Sequence, residues 1–130
     1  MKKPQEPNNA LWYKKEKYMP HLILEYAADI KKDTDIQQLV ESSFAGAEES
    51  RLFNTAAIKA RAIPIDDYWT GGAKQAFVHV DVRIFPGRSQ AEKKNLSQRI
   101  FDKIAKLVKE DVAISIEVND LHKDVYTKRG

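Results

Sequence analysis

The sequence contains no cysteine. Disulfides, thiolate nucleophiles and Cys-based zinc sites are therefore excluded together. It also lacks any run near the ~20 apolar residues needed to span a bilayer. Its first nineteen residues carry Lys and Glu but no apolar stretch of signal-peptide length, so secretion is not expected and the cytoplasm is the expected compartment. Histidine is sparse: His21, His79 and His122 form no HxxxH or HxH pair, so no metal set is expected. G-x-G-x-x-G, G-x-x-x-x-G-K-[ST] and G-x-S-x-G are all missing, so no nucleotide cofactor and no hydrolase elbow is expected.

Charge of one sign is also missing once the chain is divided. Of 22 basic and 19 acidic residues, five Lys and two Glu fall within residues 1–19, leaving 17 of each sign for the remainder. The net charge of +3 belongs to the leader alone. Nucleic-acid binding, which needs clustered Lys and Arg against phosphates, has little support. The leader mixes Pro4, Pro7, Asn8 and Asn9 with lysines and reads as a mobile arm, its one apolar patch being Ala10-Leu11-Trp12-Tyr13. The expected division is a flexible basic leader over 1–19 and one domain over 20–130, with 42% hydrophobic and 32% charged residues overall, ordinary for a soluble globular protein.

What the domain does contain is orderly. His21 to Tyr26 reads as a buried strand. Thr34-Asp35-Ile36-Gln37 fits a capping box with Thr34 as N-cap, opening a helix over 34–51 with Ile36, Leu39, Val40, Phe44 and Ala47 on its stripe. Thr55 to Ile63 alternates as a strand, Ile58, Ala60 and Ala62 on one side and Lys59, Arg61 and Ile63 on the other. Pro64 is expected to end or bend it, and Tyr68 to Gly72 to form a turn-rich loop. Val78, Val80, Val82 and Ile84 define a third strand. Ser89-Gln90-Ala91-Glu92 is a second capping box, opening a helix with Leu96, Ile100, Ile104, Leu107 and Val108 on one stripe. Val112, Ile114, Ile116 and Val118 alternate in a fourth strand. The expected class is α/β (α+β): two consecutive βαβ units, each with parallel strands and a right-handed crossover, in a four-stranded sheet with both helices on one face. The other face must meet something, and a homo-oligomer satisfies it.

The candidate chemistry centres on Met19-Pro20. Removal of everything through Met19 leaves Pro20 with a free secondary amine, a base that no side chain offers; while the leader is attached, that nitrogen is an amide without basicity. Lys59 and Arg61 share one strand face. Arg88 stands at a strand-to-helix connection, where backbone N–H groups and the helix dipole favour an anion. The carboxylate pairs Asp66-Asp67 and Glu48-Glu49 read as solvated.

From Pro20 to about His122 the chain resembles the 5-carboxymethyl-2-hydroxymuconate isomerase family of the tautomerase superfamily. The resemblance rests on Pro20-His21-Leu22-Ile23-Leu24-Glu25-Tyr26, Ile58-Lys59-Ala60-Arg61, and Ala76-Phe77-Val78-His79-Val80 running on to Pro86-Gly87-Arg88-Ser89, with Glu117 to His122 a looser match. It implies a homotrimer of two-βαβ subunits and a cofactor-independent proton transfer within an unsaturated 2-hydroxy or 2-oxo di- or tricarboxylic acid. It also implies Pro20 as general acid/base and Arg88, Arg61 and Lys59 as substrate-binding cations. At Lys59 the resemblance implies an arginine; lysine keeps the charge and loses the planar bidentate fork. Two alternatives stand beside this reading: a tautomerase of a different unsaturated or keto acid, and a non-catalytic trimeric binding protein if residues 1–19 stay attached.

Overall fold

The computed structural model describes residues 19–130. The expected mobile arm and its Ala10–Tyr13 patch lie outside the described residues. Four strands and two helices follow one another as β1 (His21–Ala27), α1 (Ile36–Glu49), β2 (Lys59–Ile65), β3 (Phe77–Ile84), α2 (Gln90–Ala105) and β4 (Ala113–Asp120). The sheet order is β2-β1-β3-β4. β1 runs parallel to β2 and β3 parallel to β4, while β1 and β3 meet antiparallel at the centre, Leu24 opposite Val80. Each parallel pair is joined through a helix, so the two expected βαβ units are present.

Alternation explains the layering. Leu22, Leu24, Val78, Val80 and Val82 are fully buried and face the helices, which contribute Leu39, Ala47, Leu96, Ile100 and Ile104. Period-two side chains of the opposite parity form an open face of different character. On it, His79 meets Ser115 Oγ at 2.6 Å and Glu117 Oε2 at 2.5 Å, Asn119 donates to Asp81 and Glu117, and Arg83 pairs with Asp81 at 3.0 Å. Hydrogen bonds from Asn119 first and His79 second hold the Glu117 carboxyl below its usual range. β1 is therefore half-buried rather than buried throughout, with His21, Ile23 and Glu25 turned away from the helices.

Several expected boundaries move, each for a local reason. The Asp33 amide closes a 3-10 turn on the Ile30 carbonyl at 3.0 Å and the Thr34 amide bonds the same carbonyl at 2.9 Å, so the chain enters α1 one residue later. Asp35 is the N-cap, accepting from the Gln38 amide at 3.2 Å, and Gln37 bonds Glu41 at 2.9 Å instead of reaching back. β2 starts at Lys59, because Asn54 caps a short 3-10 turn over Thr55–Ala57. Pro64 neither ends nor breaks β2; it pairs in register with Tyr26. The missing N–H is tolerated because β2 is an edge strand. At the second helix Ser89 and Glu92 form the full reciprocal capping box, as the sequence predicts. Leu107 and Val108 pack against the core from the turn that follows α2. The loop after β2 turns on Gly71 and Gly72, with φ of 64° and 85°, and closes by a Thr70–Ala73 bridge. Among the described residues, no helix is long and apolar enough to cross a membrane.

Candidate active site

Pro20 stands at the head of β1, buried, with its carbonyl accepting from the Lys59 amide at 3.0 Å. This bond starts the parallel pairing of β1 with β2 and fixes Pro20 at the sheet margin. Met19, bonded to the proline nitrogen, is only 1% exposed. Its side chain packs with Phe53, Phe85 and Arg88, leaving a cavity of about 10 Å³.

Arg88 reaches this place from the connection between β3 and α2. Gly87 precedes it with φ of 124°, a conformation that side chains rarely adopt, which lets the chain turn sharply from Phe85 into the helix. The guanidinium donates through Nη2 to the Leu52 carbonyl and lies over the Phe53 ring, 5.4 Å from its centroid. It immediately precedes the Ser89 cap, so the α2 N-terminus adds its own positive potential. A cation stacked on an aromatic ring and held by a carbonyl is rigidly aimed. Together these groups make an apolar recess with a fixed positive charge beside Pro20.

The other predicted cations lie on the open face. The register pairs His21 with Lys59 and Ile23 with Arg61 on one side, and His21 with Arg83 on the other. Arg61 Nη1 sits 3.2 Å from His21 Nδ1. His21 Nε2 sits 2.7 Å from the Tyr126 hydroxyl. Lys59 donates to the Ala57 carbonyl at 3.1 Å, and burial, then the nearby Lys128 charge, hold its ammonium below the ordinary lysine value. Burial first, followed by Arg61, Lys59, Arg83 and Lys128, lowers the His21 pKa as well. The four predicted residues thus fall into two groups around the head of β1: Pro20 with Arg88 beside the end of α1, and Lys59 with Arg61 on the open face.

Sequence reasoning missed Phe53, Phe85, His21 and Tyr126 as parts of the site. Tyr126 had no signal, since it follows the last strand in a segment without periodicity. Asp66, Asp67, Glu48 and Glu49 are all exposed, as expected, although Glu49 also pairs with Lys103 at 2.7 Å and Glu48 accepts from Thr55 at 3.0 Å.

Two βαβ units sharing one mixed sheet, with a proline heading the first strand, define a tautomerase fold. Solved structures of similar fold include a 5-carboxymethyl-2-hydroxymuconate delta-isomerase, with 18% identity, a TM-score of 0.75 and 92% of each chain covered. Another is a 5-carboxymethyl-2-hydroxymuconate isomerase from Deinococcus radiodurans R1, with 24% identity, a TM-score of 0.75, and 88% of this chain and 92% of that one covered. A fused 4-OT symmetric trimer is similar at 15% identity and a TM-score of 0.60, with 77% of this chain and 85% of that one covered. No curated protein matches the sequence. The family model for 5-carboxymethyl-2-hydroxymuconate isomerase matches residues 20–130, and the chain belongs to that family.

Proposed function

We propose that this chain, once it begins at Pro20, is a cofactor-independent isomerase acting on an unsaturated 2-hydroxy or 2-oxo di- or tricarboxylic acid such as 5-carboxymethyl-2-hydroxymuconate. The observation that carries this reading is the recess around Met19, walled by Phe53, Phe85 and the guanidinium of Arg88. Without residues 1–19 the space filled by the methionine side chain opens directly beside the proline nitrogen. A free amine there is disfavoured in its charged form by apolar surroundings and by nearby cations, so part of it is neutral near pH 7 and accepts a proton.

The chemistry then balances without a further reactant. The Pro20 nitrogen takes the proton of the 2-hydroxyl group; the oxygen lone pair becomes the ketone C=O, and the conjugated double bonds shift. The far carbon of the system receives a proton back from the same nitrogen. Arg88 holds a substrate carboxylate or the enolate oxygen as charge develops, and Arg61 and Lys59 hold another carboxylate from the open face. Assembly as a homotrimer covers the rest of that face, away from Lys59 and Arg61.

The test is the comparison of two chains. The form starting at Pro20, confirmed by intact mass, is expected to ketonise 2-hydroxymuconate-type dienols. The form retaining Met1 is expected to be inactive, because its proline nitrogen is an amide. Equal activity of the two forms would remove Pro20 as the base. A second reading, a non-catalytic binding protein, is favoured by the buried Met19 itself and requires that natively expressed protein keep its leader. Arg88→Ala is expected to raise KM for dicarboxylates about tenfold or more, the scale of a lost charged hydrogen bond. The same rise with monocarboxylate analogues would argue against its assigned role.

A further inference from the structure

Both ring nitrogens of His21 are engaged, and by partners of different kinds. Guanidinium is a donor only, with five N–H groups and no acceptor. The contact of Arg61 Nη1 with His21 Nδ1 at 3.2 Å therefore requires a lone pair on Nδ1, which places the ring proton on Nε2, facing the Tyr126 hydroxyl at 2.7 Å. The groups around this ring are Lys59 and Arg61 from β2, Arg83 with its partner Asp81 from β3, and Lys128 beside Lys59 from the C-terminal segment. Four of these five side chains are basic and only Asp81 is acidic, and among the described residues no carboxylate is within ion-pair distance of Arg61 or Lys59.

Tyr126 is itself held in place. Its ring meets His21 edge-on at 6.1 Å and Phe85 edge-on at 5.4 Å, with an interplanar angle of 86° to the latter. Phe85 also lines the recess that contains Met19 and Arg88. A short 3-10 turn over Lys123–Val125, closed by the Tyr126 amide on the Lys123 carbonyl at 3.3 Å, delivers the tyrosine to this position. One side chain from the tail thus touches both cation groups, through Phe85 on one side and His21 on the other.

We propose that His21, locked by the Tyr126 hydroxyl, is the positioning residue for Arg61, presenting a lone pair that aims the guanidinium at a substrate carboxylate on the open face. One of five N–H donors is engaged by the imidazole, and the others are left for a carboxylate. The C-terminal segment is then part of the substrate-binding apparatus although Tyr126 itself touches no substrate. This inference rests on the reading of Arg61 as a carboxylate binder, and the experiment separates the two.

The protein used is the full domain beginning at Pro20, with Arg61→Gln, His21→Gln and Tyr126→Phe variants, the last keeping the ring on Phe85. Kinetics on 5-carboxymethyl-2-hydroxymuconate and nitrogen NMR of the imidazoles are read for each. The wild-type His21 ring is expected as the Nε2–H tautomer, and its Nδ1 signal is expected to shift in Arg61→Gln. All three variants are expected to raise KM about tenfold with kcat changed much less, in line with a charged hydrogen bond. Combining His21→Gln with Arg61→Gln is expected to add little to Arg61→Gln alone. If Arg61→Gln raises KM while His21→Gln and Tyr126→Phe do not, positioning by His21 is overturned and the role of Arg61 stands. If Arg61→Gln leaves KM unchanged, both fall. A ring carrying its proton on Nδ1 overturns the geometry whatever the kinetics.

Discussion

Replacing Pro20 by alanine in a chain that begins at residue 20 is expected to lower kcat by about 10²-fold or more, the typical contribution of a positioned base. Alanine still supplies a free amino group, so the expectation depends on what the ring does. The pyrrolidine ring ties the nitrogen to its own side chain and prevents rotation about the N–Cα bond. A primary amine rotates and hydrates more readily. The base is then present but misplaced, and misplacement by an ångström is costly in proton transfer. Stopped-flow absorbance of a 2-hydroxymuconate-type dienol, with circular dichroism to confirm folding, reads the effect directly. Turnover within a few-fold of the parent would show that the ring is not what positions the base. Restoring Met19 alone is expected to abolish the remaining activity, because acylation removes the basic lone pair from either residue.

Gly46→Ala is expected to destabilise the fold by about 1–3 kcal/mol, the usual cost of forcing extra volume into a packed interior. A Cβ at this position would lie 3.0 Å from the Arg99 carbonyl oxygen, 3.0 Å from Ile100 Cα and 3.1 Å from Ile100 N. All three are backbone atoms of α2 and cannot swing aside as a side chain end can. The helices must separate by a few tenths of an ångström, which disturbs the packing around the fully buried Ile100. Alanine is intrinsically the better helix former by about 1 kcal/mol, so the sign of the result decides which effect wins. Urea unfolding gives the answer. A midpoint equal to or above the parent's would show that parting the two helices costs no more than alanine's gain in helix propensity.

The sequence carried the layering of this molecule well because its strands are written in period two. Val78, Val80, Val82 and Ile84 could face only one way, and all four are buried. The second capping box was legible for a simple reason: Ser89 is the only Ser, Thr, Asp or Asn between Phe85 and Lys94. The first was misread by one residue because both Thr34 and Asp35 can cap, and the choice was made by the 3-10 turn preceding them, which composition does not announce. Pro64 was misread because a proline's tolerance depends on whether its strand lies at an edge, and edge position is a property of sheet order. At the site, the grouping of Lys59 with Arg61 follows from period two. The recess of Met19, Phe53, Phe85 and Arg88 joins three separate segments, and the contact of Tyr126 with His21 spans 105 positions. Nothing local encodes such contacts.

The hydrogen bond from the Lys59 amide to the Pro20 carbonyl has a twin in the other half of the chain: the Ala113 amide donates to the Ala76 carbonyl, also at 3.0 Å. With β1 and β3 antiparallel at the centre, the two βαβ units are related by an approximate dyad, and Ala76 occupies the place that Pro20 holds in the first unit. The symmetry is architectural and stops short of chemistry. Ala76 lies in mid-chain, so its nitrogen belongs to a peptide bond in every form of the protein. A duplicated scaffold of this kind offers two equivalent margins, yet one polypeptide has a single beginning. With Pro20 as the base, as proposed, each chain carries one such centre at most, and the opposite margin is free to diverge.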